Sequence, residues 1–65
     1  MTHQDYRIAY LCRDGRSVAE FHGSTTAEAV NKALAKLHKL TPCSWGHALK
    51  YEGWSIEGMD GERLA

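Results

Sequence analysis

The chain has 65 residues, and eight basic side chains balance eight acidic ones for a formal net charge of zero. A chain of this length is expected to form one domain. Neutrality argues against two small-protein roles that depend on a large field of one sign, the basic clamp on nucleic acid and the acidic mimic of DNA.

An apolar share of 43% suits a folded domain rather than a disordered chain. No apolar run approaches the ~20 residues of a membrane span, so no membrane partner is expected. The polar opening Met1-Thr2-His3-Gln4-Asp5 does not read as a signal peptide, and a cytoplasmic protein, of a cell or of a virus inside it, is the expectation. Cys12 and Cys43 are too few for a disulfide framework and are expected as reduced thiols. So short a chain leaves little room for a supported pocket, and neither enzyme chemistry nor a cofactor is expected.

Residues 5 to 22 read as a β-hairpin. Tyr6, Ile8, Tyr10 and Cys12 alternate with Arg7, Ala9, Leu11 and Arg13. Asp14-Gly15 is a two-residue turn of type I′, since both positions suit positive φ. A regular ladder from that turn sets Arg13 opposite Arg16, Cys12 opposite Ser17, Leu11 opposite Val18, Tyr10 opposite Ala19 and Ile8 opposite Phe21. One face then gathers Ile8, Tyr10, Cys12, Ala19 and Phe21 and is expected to be the core face. The other carries Ala9, Leu11 and Val18, flanked by Arg7, Glu20 and His22, and is expected to face solvent.

Thr25-Thr26-Ala27-Glu28 is a capping box that opens a helix from about Thr26 to Leu40. Ala27, Val30, Ala33, Leu34 and Leu37 form an apolar stripe, opposite Glu28, Lys32, Lys36 and Lys39. Thr41-Pro42 stops the helix. Residues 43 to 46 read as a loop, and His47 to Tyr51 and Trp54 to Met59 as extended, with Glu52-Gly53 a turn or a bulge between them. Asp60-Gly61 marks a further turn, and Glu62 to Ala65 is expected to fray. The fold class is therefore α+β: a two-layer β-β-α-β domain with one helix on one face. A helical crossover puts the antiparallel sheet in the order 2-1-3, with three strands or a short fourth beside them.

Tyr6-Arg7-Ile8-Ala9-Tyr10, Asp14-Gly15, Val18-Ala19-Glu20-Phe21, Gly23 and Thr26-Ala27-Glu28-Ala29-Val30, with Ala33 and Leu37, resemble the N-terminal half of HicB-like antitoxin domains. The archaeal ribosomal LX-like domain and many small phage proteins have a similar β-β-α-β layout. The resemblance spans residues 6 to 40 and implies the fold and a habit of binding proteins. It carries no catalytic residue across, and the separate DNA-binding domain usual in HicB proteins is not in this chain.

Four kinds of site are conceivable. Cys43 and His47 have a Cys-x3-His spacing, and His3, Cys12, His22 and His38 are further ligand types. No paired Cys-x2-Cys signature accompanies them, and Cys12 and His22 are expected on opposite faces, so no metal is assigned. Cys43 beside His47 or His38 has the elements of a thiolate–base pair without an orienting carboxylate. Arg13, Arg16, Lys32, Lys36 and Lys39 form the basic surface of an alternative nucleic-acid-binding reading. The preferred reading is a protein interface on Arg7, Ala9, Leu11, Val18, Glu20 and Trp54, with Trp45 as a second anchor. The partner is expected to be a second copy, in a homodimer, or a larger host complex. The function expected is that of a phage or mobile-element inhibitor or accessory protein, such as an anti-CRISPR, which occludes a protein surface.

Overall fold

The computed structural model describes residues 7–65. Tyr6 and His3, which the sequence reading placed on the first strand and among ligand types, lie outside the described residues. The fold is α+β. Strands β1 (Arg7–Arg13), β2 (Arg16–Gly23) and β3 (Trp54–Glu57) form an antiparallel sheet in the order β2-β1-β3. Helix α1 (Thr26–Leu40) and a short helix α2 (Trp45–Tyr51) connect β2 to β3.

The hairpin turn follows the sequence expectation: Asp14 and Gly15 both have positive φ, and Arg13 pairs with Arg16. The ladder beyond it does not. A β-bulge between Leu11 and Cys12 leaves Val18 as the extra residue, so Leu11 faces Ala19 and Ala9 faces Phe21. A regular ladder would set Ala9 and Leu11 across from Glu20 and Val18. One extra residue inverts that parity and lets both strands present their apolar sets, Ala9 and Leu11 with Ala19 and Phe21, to the same side. The expected faces are thus exchanged. Ala9 and Leu11 are fully buried in the core, while Ile8, Tyr10 and Cys12 face the other side with Glu20 and His22.

The helix is set on that core by small side chains. Ala29, Ala33 and Leu37 are fully buried, with Val30 and Leu34 packed beside them, whereas Ala27 is exposed. Alanines at two successive turns let the helix backbone approach the sheet closely. Gly23 serves the same approach, because a Cβ there would stand 2.9 Å from the Ala29 nitrogen. Thr25 caps the helix by accepting the Glu28 N–H at 3.1 Å, and the Glu28 carboxylate accepts from the Ser24 N–H at 2.8 Å, one residue before the cap.

The expected loop and strand over residues 43–51 are instead a helix. Ser44 is its N-cap and accepts from the His47 N–H at 3.2 Å. Burial of Ala48 and partial burial of Leu49 fix its inner face. Glu52 closes it, and Gly53, with φ at +79°, turns the chain into β3. Glu52-Gly53 is therefore a helix end, neither hairpin turn nor strand bulge. In β3, Trp54 and Ile56 pair with Arg13 and Leu11 and are buried. The C-terminal residues fold back: Ile56 accepts from Leu64 and donates to Ala65, and Glu57 forms a single bridge with Arg63. The expected fraying is replaced by a cover over the outer edge of β3, one bridge short of a fourth strand.

Candidate interaction surface

The exchange of sheet faces takes Ala9, Leu11 and Trp54 out of reach of any partner, since Trp54 keeps only 6% of its surface and the other two none. Val18, Glu20, Trp45 and Arg7 are exposed. Sequence reasoning assumed an uninterrupted ladder and so assigned the wrong strand face to the core. Without a bulge, either Ala9 and Leu11 or Ala19 and Phe21 are left outside the core.

Among the described residues, three large side chains, Leu11, Leu37 and Ile56, are fully sealed inside. Five, Val18, Leu40, Trp45, Tyr51 and Met59, are 44–66% exposed. The topology sorts these five. Two residues separate the end of β2 from the start of helix α1, where Thr26 lies beside Arg7 and Gly58. Its fifteen residues run about 22 Å back along the sheet, so Leu40 lies toward the hairpin turn. Seven residues of α2, about 10 Å, then lead to Gly53, whose carbonyl accepts from the Asp14 N–H at 2.9 Å. Val18, Leu40, Trp45 and Tyr51 therefore belong to the hairpin-tip end, and Met59 to the opposite end.

Charge is sorted along the same axis. Arg13, Arg16, Lys39 and Lys50 belong to the tip end, against Asp14 and Glu52. The Arg13 guanidinium lies 5.1 Å from the centre of the Trp54 ring, which fixes it at the sheet margin. Lys50 lies 5.5 Å from the Tyr51 ring, and His47 packs on the same ring at 5.0 Å. The opposite end has an open cleft of about 300 Å³ whose lining includes Arg7, Ile8, Met59, Asp60 and Glu62.

Of the residues of the nucleic-acid reading, Arg13, Arg16 and Lys39 belong to the hairpin-tip end. Lys32 is drawn to the Glu28 carboxylate at 3.9 Å and donates to the His22 carbonyl at 2.7 Å. Lys36 and Lys39 are exposed on α1, and Arg13 and Arg16 sit opposite each other beside the turn.

The cysteine and histidine candidates have other neighbours. The Cys43 sulfur lies 2.9 Å from the Thr41 hydroxyl, and His47 faces Glu52 at 3.5 Å. Cys12 is buried on the face away from the helices. Burial pushes its thiol above the ordinary range, and the nearby Glu57 carboxylate adds to the shift. Among the described residues, no three His, Cys, Asp or Glu side chains come together as a metal site. No helix among them is long and apolar enough to cross a membrane. Comparisons with protein-family models, with curated proteins and with solved structures found no match for this chain.

Proposed function

We propose that this chain is a small, non-enzymatic, cytoplasmic protein-binding module that docks through its hairpin-tip end on an acidic protein surface with apolar pockets. The observation that carries this reading is the exposure of Val18, Leu40, Trp45 and Tyr51, which the course of the chain sets toward the same end as Arg13, Arg16, Lys39 and Lys50. Exposed aromatic and aliphatic side chains rimmed by cations supply anchors and an electrostatic bias together. Each exposed apolar group remains in water in the free protein and gains on burial against a partner. Occlusion of a partner's surface, as by a phage or mobile-element inhibitor, needs nothing further from so small a domain.

The same aromatic and basic groups favour a second reading, single-stranded nucleic acid stacked on Trp45 and Tyr51. The protein reading is preferred because the chain has no net positive charge and Lys32 is occupied within the fold. Affinity capture from a cell lysate, in parallel with gel shift over a salt series, separates the two. A protein retained at 0.5 M salt (roughly three times physiological ionic strength) by the wild type but not by the Trp45→Ala, Tyr51→Ala double variant is the expected result. Recovery of nucleic acid alone, lost steeply with salt, overturns the protein reading.

A further inference from the structure

The two outer edges of the sheet are closed in different ways, and the β2 edge has a device of its own. Beside a two-residue turn, Arg13 and Arg16 form a hydrogen-bonded pair, and pairs alternate from there between hydrogen-bonded and non-hydrogen-bonded. Counting the bulge as one position, Cys12–Ser17, Tyr10–Glu20 and Ile8–His22 are the non-hydrogen-bonded pairs. Ser17, Glu20 and His22 therefore turn their backbone groups to the outer side of β2. Among the described residues no further strand pairs there.

An incoming strand needs outward groups at every second residue. Here Val18 spaces Ser17 and Glu20 three apart, which breaks the template. At the other end, the His22 carbonyl is held by the Lys32 ammonium, which reaches over from α1 to 2.7 Å. We propose that the Val18 bulge and Lys32 together guard the β2 edge against pairing with the β2 edge of a second copy. The bulge limits the length of any intermolecular ladder, and Lys32 occupies an acceptor that the ladder would need while placing a charge on the edge. The guard shares Val18 with the binding surface proposed at the hairpin tip, but it acts through the backbone edge of β2, and Lys32 lies outside that surface. It assigns β2, long and rich in exposed positions, a protected state in the free monomer.

Sedimentation of the full chain over a wide concentration range tests this, with circular dichroism and amide exchange on the same samples. Lys32→Met keeps the aliphatic stem and removes the ammonium. It should self-associate at a concentration at least about tenfold lower than the wild type, since a lost charge-assisted hydrogen bond is a difference of that order. Added amide protection at Glu20 should accompany association. Deletion of Val18 leaves Leu11 opposite Ala19 in an uninterrupted ladder and should associate as well. Lys36→Met, on the same helix without a partner strand, should remain like the wild type. The proposal fails if Lys32→Met behaves as Lys36→Met does, or if the wild type already pairs through β2. Should Lys32→Met not fold, the Val18 deletion decides alone, and a monomeric deletion variant overturns the guard.

Discussion

The two tryptophans stand at the same end of the molecule and do opposite work. Trp54 opens β3, is buried against Leu11 and Ile56, and lies beneath the Arg13 guanidinium. Trp45 opens α2 and keeps 50% of its surface in water. Both follow a turn and precede a small or polar residue, so local sequence does not separate them. The separation comes from topology. The β3 register is fixed by pairing with β1, which points Trp54 at the helices, while the inner face of α2 is supplied by Ala48 and Leu49. Where the described residues seal three large side chains, leaving a tryptophan outside is a substantial apolar exposure, and it lies toward the end where Val18, Leu40 and Tyr51 are also left outside.

The largest expected effect is at Trp54. Trp54→Ala should cost about 3–5 kcal/mol, a loss that unfolds or nearly unfolds a domain of this size, whereas Trp45→Ala should change stability by no more than about 0.5 kcal/mol. Urea denaturation followed by circular dichroism measures both, and equal losses at the two positions would erase the distinction between them.

A smaller effect is expected where the hairpin tip is tied to the end of α2. Gly53 has φ at +79°, and the Cβ of an alanine there would collide with Asp14 Oδ1. Gly53→Ala should destabilise by more than about 1 kcal/mol, because it combines backbone strain at positive φ with displacement of the Asp14 carboxylate from its place beside the turn. Gly15 also has positive φ but open space around it, so Gly15→Ala should cost less in the same denaturation series.

The smallest effect is a pH dependence from Cys12. Its folded thiol titrates above the unfolded one, so the neutral form is favoured on folding. Below the unfolded value, about 8.5, that preference is fully present as stability, and it declines as pH rises from there through the folded value. Chemical denaturation from pH 7 to pH 10 should show this decline in the wild type and a shallower one in Cys12→Ala. The partly buried Cys43 should react with a thiol reagent faster than the buried Cys12.

The fold class was legible in the sequence because each β1, β2 and α1 element has a local cause: the Asp14-Gly15 turn, the Thr25–Glu28 cap, and the Thr41-Pro42 stop. The sheet faces were not, because the bulge at Val18 has no local signature and is chosen by the tertiary need to bury Ala9, Leu11, Ala19 and Phe21 together. Helix α2 was missed for a related reason. Seven residues with one buried alanine carry too little periodicity to read, although the Ser44 cap and Gly53 mark its ends. Among the residues expected at an interface, Trp45 and Val18 are exposed at the hairpin-tip end, while Tyr51 and Leu40 join them only through the course of α1 and α2.

The most direct measurement compares the two ends with one partner. The affinity of a captured protein is to be measured by calorimetry for the wild type, Trp45→Ala and Met59→Ala, since both side chains are exposed but lie at opposite ends of the sheet. Docking through the hairpin tip requires at least about a tenfold loss for Trp45→Ala, as for an interface hot spot, and less than about a twofold change for Met59→Ala. The reverse pattern, with Met59→Ala weakening binding and Trp45→Ala leaving it intact, would contradict the hairpin tip as the binding surface.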